Sequence, residues 1–214
     1  MTGALADNDI LIKSAAYGLL QHAVGYLVQQ YGSVGVLAAA RFYVPKVLSR
    51  ARLSKDVAPV LQSLEAILAQ VALLEPTADE TRLAAELELA AKRVNLSLNV
   101  GESQLIAIAM LRGSAALITG DKRAIESIEP ILQPLGGHTS LAGVVVCMEQ
   151  LIKRLLLVPV ADINLAICGE AHIDTALRIC FKCATGPGTA AEWIAGLDSY
   201  IEGLRVQAPN ILSP

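Results

Sequence analysis

The sequence predicts an α/β fold of three layers, α/β/α, around a mostly parallel sheet of about four to five strands, followed by an all-helical C-terminal extension. Three observations carry the prediction. Short apolar segments alternate with longer segments of helical periodicity, the pattern of βαβ units with a sheet covered on both faces. Acidic residues stand where strands end, at Asp7 and Asp121, and in an open parallel sheet the crevice beyond the strands' carboxyl ends is where ligands bind. Beyond Gly136-Gly137 the pattern is helical throughout, so residues 1–137 are expected to form the α/β domain. Residues 138–214 are then an extension packed on that domain or forming a subunit interface.

Residues 3–6 read as the first strand, closed by Asp7-Asn8-Asp9. Apolar positions from Ile10 to Leu27 recur at helical spacing, predicting a helix over 9–31 with Gly18 and Gly25 as weak points. Residues 34–44 fit a buried second strand, and a helix is expected to begin at Pro45, since proline suits a first helical position. A second helical stretch covers 57–70, and residues 71–74 read as a third strand. Thr77 and Glu80 make a capping box that opens a charged helix to about Arg93. Glu102 starts the next helix, to about Leu111, and residues 115–118 form a strand running into Thr119-Gly120-Asp121. A short helix stopped by Pro130 and an edge strand over 131–135 complete the domain. In the extension, helices are expected over 141–157 and 163–183, and after Thr189, whose capping partner is Glu192. The tail from Ala208, with two prolines, is expected to fray.

Composition narrows the function classes. At 54% hydrophobic and 17% charged residues the chain is not a disordered one, and its apolar surplus is consistent with a homodimer. The net charge of −3 provides no global basic field, so nucleic acid would need a local groove. The best membrane candidate, residues 141–160, is interrupted by Glu149, Lys153 and Arg154, so no membrane role is expected. No leader is expected either. A cytoplasmic location follows, with the four cysteines reduced. Cys168, His172, Cys180 and Cys183 invite a zinc reading, but cysteines inside an apolar helical stretch behave as small buried hydrophobes. Trp193 reads as core or subunit seam.

Asp7, Asp9, Glu102 and Asp121 carry the chemistry. Carboxylates gathered at element ends are hard oxygen donors suited to Mg²⁺ or Mn²⁺, which can activate water and neutralise phosphate oxygens. The competing reading makes Asp7 and Glu102 ordinary helix-start acids and Asp121 a turn residue. Asn8 and Thr119 would orient a ligand or satisfy backbone groups. Lys122 and Arg123 beside Asp121, with Arg50, Arg52 and Lys55 after the second strand, would line a phosphate groove or form solvated faces.

From about Leu5 to Leu135 the chain resembles the PIN-domain ribonucleases. Asp7-Asn8-Asp9-Ile10-Leu11 resembles the family's opening Asp-x-Asn-x-Leu. Residues 71–76 with the Thr77–Glu80 box resemble its third strand and following helix. Gly101-Glu102 with Leu105, Ala107 and Ala109 resembles its Gly-Asp-x-x-Ile-x-Ala-x-Ala signature, with Glu for Asp, and Leu117 to Asp121 resembles its final Leu-x-Thr-x-Asp. The resemblance implies a PIN-like sheet and a metal-dependent ribonuclease with catalytic Asp7, Glu102 and Asp121. It also implies Mg²⁺ or Mn²⁺ held by these and Asp9, RNA as substrate, and a toxin or RNA-processing role with an antitoxin-like protein as possible partner. One departure stands out: the family usually carries a glutamate one turn into the helix after the second strand. Ser49, Arg50 and Ala51 occupy that region, leaving Asp9 as the natural substitute. The alternatives are a PIN-like scaffold that binds RNA or protein without catalysis, and a phosphohydrolase of the haloacid-dehalogenase type using Asp7 and Asp9. The latter needs Thr or Val where Leu11 stands, and a later Asp-Asp pair that the chain lacks.

Overall fold

The computed structural model describes residues 2–96, 98–135, 138–158, 162–186 and 188–214. Five short strands, β1 (Thr2–Ala6), β2 (Val34–Leu37), β3 (Ala72–Leu74), β4 (Ser114–Thr119) and β5 (Val145–Cys147), form one all-parallel sheet in the order 3-2-1-4-5. The register pairs Ala4 with Val34 on one side and Ala116 on the other, so β1 is central. Side chains of period two divide the core. Ala4, Ala6, Val36, Ile118 and Val146 face one layer, and Leu5, Leu37, Leu117, Val145 and Cys147 face the other.

The first layer holds α1 (Asn8–Tyr17), α2 (Leu20–Tyr31), α3 (Ala40–Leu48) and α4 (Val57–Leu68). The second holds α5 (Ala78–Arg93), α6 (Val100–Arg112) and α7 (Lys122–Leu132). α8 (Met148–Leu155), α9 (Ile163–Gly169) and α10 (Thr175–Cys180) add to the first layer. α11 (Ala190–Gln207) places Leu197 in one core and Ile201 and Leu204 in the other. The architecture is therefore three-layered α/β/α. The expected capping boxes form at Thr77–Glu80 and Thr189–Glu192, each reciprocal.

Several elements differ from the sequence reading. The helix expected over 9–31 is two helices, because Gly18 adopts φ 75° and caps α1, a left-handed conformation that glycine takes without a Cβ clash. Strand β2 stops at Leu37, and the helix after it begins at Ala40, so Pro45 lies inside α3 rather than opening it. Likewise Pro130 lies inside α7, and residues 131–135, read as an edge strand, continue as helix and a 3-10 turn.

The true fifth strand is Val145–Cys147, inside the stretch read as helical, where pairing with β4 outweighs a pattern that periodicity alone cannot assign. The C-terminal segment thus completes the sheet and is not a wholly helical extension. Gly136 and Gly137, the expected boundary, lie outside the described residues, as do Val160 at the end of the membrane candidate and Pro187. Among the described residues no helix is long and apolar enough to cross a membrane.

Residues 163–183 form two helices, with Asp174 capping α10. Cys183 is not a reduced helical hydrophobe: it forms a disulfide with Cys168, and Lys182 at φ 54° turns the chain back after α10. Cys147 and Cys180 are free and buried. Trp193 is partly buried, packs against the core and stacks on Phe181 with ring centroids 5.4 Å apart. The tail does not fray. Ala208, Ile211 and Leu212 are buried, Glu129 accepts from the Asn210 and Ile211 amides, and Val145 exchanges backbone hydrogen bonds with Ile211 and Ser213.

Candidate functional site

With β1 between β2 and β4, the direction of chain winding reverses at the β1/β4 pair, the position where open parallel sheets form a crevice. Asp7 follows β1 there and Asp121 follows β4, while Glu102 arrives from the start of α6. The three line one cleft of about 610 Å³, together with Asn8 and Asp9. Each acid also caps a helix. Asp7 caps α1, accepting from the Asn8 amide at 2.7 Å, and Asp121 caps α7, accepting from the Arg123 amide at 2.9 Å. Glu102 accepts from the Asn99 amide at 2.8 Å in a capping box of α6. The acids that line the cleft are therefore also the acids at the starts of α1, α6 and α7.

Thr119 joins two of the acids. Its hydroxyl donates to Asp7 Oδ2 at 3.2 Å and accepts from the Asp121 amide at 3.3 Å, which fixes both strand ends. Below Asp7 and Glu102 lies an apolar floor of Leu105, Leu117 and Ile128. Asp7 is 8% exposed and Glu102 9%. Burial, reinforced by the charges of Asp9 and Asp121 against the pull of the Asn8 amide and Thr119 hydroxyl, pushes the Asp7 carboxyl up to about 6. Burial, with the charges of Asp121 and Asp7, pushes Glu102 up to about 7, despite its bond from the Asn99 amide. Both carboxyls are held back from ionising by a dry floor and by their neighbours' charge.

Asp9 has a different fate. Its Oδ2 lies 2.8 Å from Lys13 Nζ, which also reaches Asp174 Oδ2 at 2.7 Å. Burial works against the Lys13 charge, but the two carboxylates outweigh it and raise the ammonium to about 12. Asp9, expected to substitute for the absent glutamate, is thus already paired. The position one turn into the helix after β2 is also not at Ser49 to Ala51, because α3 starts at Ala40. Tyr43 occupies it, and its ring lines the cleft.

The basic residues divide. Arg123 lies beside Asp121, with Nη2 at 3.4 Å from its carboxylate. Lys122 turns away to Glu149 at 2.9 Å, with Nζ 4.2 Å from the Tyr200 ring centroid. Arg50, Arg52 and Lys55 do not line the cleft. Lys55 Nζ lies by Gly18, the far end of α1, about 15 Å along the helix from Asp7 at 1.5 Å per residue. Arg50, Arg52 and Lys55 are exposed, and the segment that carries them is held by Glu170, which accepts from the Ser54 amide at 2.9 Å.

Lys13, Tyr43, Glu149 and Asp174 were missed by sequence reasoning. Lys13 could have been found as the i+4 partner of Asp9 on one helix face. Asp174 before Thr-Ala-Leu carries an N-cap pattern. Tyr43 was hidden by starting the helix at Pro45. Among the described residues no three His, Cys, Asp or Glu side chains gather closely enough to hold a metal ion by themselves. No protein-family model, curated protein or solved structure matches the chain.

Proposed function

We propose that the protein is a metal-dependent ribonuclease of PIN-like type, and that the cleft at the β1/β4 switch point is its active site. The observation that carries the reading is the convergence of Asp7, Glu102 and Asp121 on one cleft, with Asp7 and Glu102 raised well above the ordinary carboxylate range. Mg²⁺ or Mn²⁺, when bound, supplies a water activated near pH 7 and neutralises charge on the phosphate.

The chain's own residues prepare that chemistry. The Asn8 amide and Thr119 hydroxyl aim Asp7, the Asn99 amide aims Glu102, and the start of α7 holds Asp121. Their mutual repulsion leaves the cleft poised to accept positive charge. Asp9 acts through Lys13 and Asp174, bracing α1 against α10 while keeping one face toward the cleft.

A scaffold that binds RNA or protein without cutting is the second reading, favoured by Tyr43 standing in place of a carboxylate one turn into α3. Cleavage of RNA in Mn²⁺ or Mg²⁺ by the wild type and by Asp121→Asn separates the two. Metal-dependent cutting that the substitution abolishes supports the nuclease. If both proteins are inert and metal raises the melting temperature of neither, the scaffold reading replaces it.

A further inference from the structure

The Cys168–Cys183 disulfide closes a loop across a sequence separation of 15. That loop holds α10, whose six residues are too few to keep a helix by themselves. Leu177 and Phe181 seat it in the core, and two acids tie its start. Glu170 accepts from the Ser54 amide at 2.9 Å, and Asp174 caps α10 while its Oδ2 reaches Lys13 Nζ at 2.7 Å. Lys13 carries the second tie into the cleft. Its ammonium also lies 2.8 Å from Asp9 Oδ2, and Asp9 lines both the acidic cleft and the neighbouring opening that Lys13 and Asp174 share. Gly120 packs directly on this pair. A Cβ there would stand 2.2 Å from Asp9 Oδ2 and 3.2 Å from Lys13 Nζ, so the turn that delivers Asp121 has no slack against it. A path of contacts therefore runs from the cross-linked loop through Asp174, Lys13 and Asp9 to the turn before Asp121. The sulfurs at its start are within reach of reagents: Cys168 and Cys183 are partly exposed and flanked by exposed Gly169, Lys182 and Ala184, whereas Cys147 and Cys180 are buried.

We infer that the Cys168–Cys183 disulfide is a redox control on the cleft: a dithiol opens it, segment 169–182 loosens, and Asp174 withdraws from Lys13. The inference rests on the ribonuclease reading and adds to it the regulation of that site. In the exchange, a thiolate of the dithiol attacks one sulfur to give a mixed disulfide and one free cysteine, and the second thiol then displaces the other cysteine. The bond between Cys168 and Cys183 breaks, one forms within the dithiol, and two electrons and two protons pass to the cysteines. In the oxidised protein Lys13 is shared between two carboxylates, so Asp9 is only partly neutralised and Asp174 adds its own charge at the rim. Once Asp174 leaves, the ammonium serves Asp9 alone and the opening loses a negative charge. The oxidised form is therefore the one that holds a cation more tightly. Closing a loop of this length suppresses its local opening roughly a hundred-fold, the factor that reduction gives back.

The test compares four proteins: the oxidised wild type, the wild type reduced with dithiothreitol and freed of reagent without air, Cys168→Ser/Cys183→Ser as the permanently open form, and Asp174→Asn. Asparagine keeps the cap of α10 and removes the charge on Lys13. Each is read by amide hydrogen exchange and by calorimetric titration with Mn²⁺. Reduction and the double serine variant are expected to speed exchange in α10 roughly a hundred-fold while β1 and β4 stay slow. Both weaken Mn²⁺ binding roughly five-fold or more. Asp174→Asn binds as weakly when oxidised and loses nothing more on reduction.

Equal Mn²⁺ affinity of the oxidised and reduced wild type overturns the inference. So does an Asp174→Asn protein that still loses affinity on reduction, since the path then bypasses Lys13. Exchange that speeds throughout the sheet also overturns it, by making the disulfide a staple of the whole fold rather than a control on one segment. If metal-dependent cutting lost in Asp121→Asn persists in any of these cases, the ribonuclease reading survives without the redox control. Absence of both Mn²⁺ binding and cutting in every form removes both.

Discussion

Replacing Asp7 with asparagine removes a buried negative charge while keeping the cap it provides, since asparagine caps a helix as well as aspartate does. The ordinary value of an aspartate, 3.8, applies to the unfolded chain, and in the folded protein Asp7 is raised to about 6. A gap of about two pKa units corresponds to about 3 kcal/mol, by which ionised Asp7 opposes folding. Between about pH 4 and 6 the folded protein binds more protons at this site than the unfolded chain does. Stability therefore falls as pH rises through that window, and the full penalty is present above about pH 6.

Asp7→Asn lacks the penalty. Urea unfolding of both proteins from pH 3.5 to 8 is expected to show the variant more stable by about 3 kcal/mol at pH 8, with the difference vanishing below about pH 4. Relief of Glu102, whose own carboxyl feels Asp7, acts in the same direction. A difference independent of pH, or a variant less stable at pH 8, would refute the electrostatic account of the cleft. Loss of activity with gain of stability is the pattern expected of a functional acid.

Three further outcomes are expected. Saturating Mn²⁺ should stabilise the wild type by about 2.7 kcal/mol at a hundred-fold excess over the dissociation constant, and Asp7→Asn by clearly less, read by thermal unfolding with and without chelator. Arg112→Leu should cost about 3 kcal/mol, because it strands Glu80, whose carboxylate sits 2.6 Å from Arg112 Nε and is almost wholly buried. Since that hydrogen bond, with others, holds Glu80 at about 2, the difference is full above about pH 4.5 and shrinks as pH falls toward 2, measurable in acid denaturation curves. Cys168→Ser, or reduction of the Cys168–Cys183 disulfide, should lower stability by about 3 kcal/mol for a loop of 15 residues, detected as a shift in the urea midpoint with and without reductant.

The parts of the molecule set by local chemistry were legible in the chain. The strand before Asp7, the Thr77 and Thr189 boxes and the strand running into Asp121 stand where short-range signals put them. The cleft acids were legible for the same reason, because a strand end and a helix start are local events. What was hidden depends on partners far away in sequence. Residues 145–147 are a strand because β4 lies beside them, although the apolar run around them reads equally well as helix. The disulfide follows from the turn at Lys182, which brings Cys183 back to Cys168 rather than to Cys180. Tyr43 and Lys13 gain meaning only once α3 and α1 are placed around the same opening.

The pinned C-terminal tail bears on how copies of this chain can associate. Ile211 and Ser213 occupy the outward backbone groups of Val145, and Gln150 Oε1 accepts from the Cys147 amide at 2.9 Å, so the β5 side of the sheet is closed to an incoming strand. At the other margin, among the described residues, β3 pairs with β2 alone, and its Ala72 and Leu73 are exposed while Leu74 is partly buried. A sheet with one open margin can join another only once: two copies meeting β3 to β3 consume both open margins, and no third can add. Strand-to-strand growth into a filament requires two free margins per copy, so unpinning the tail would supply the second and turn a self-limiting contact into one that propagates.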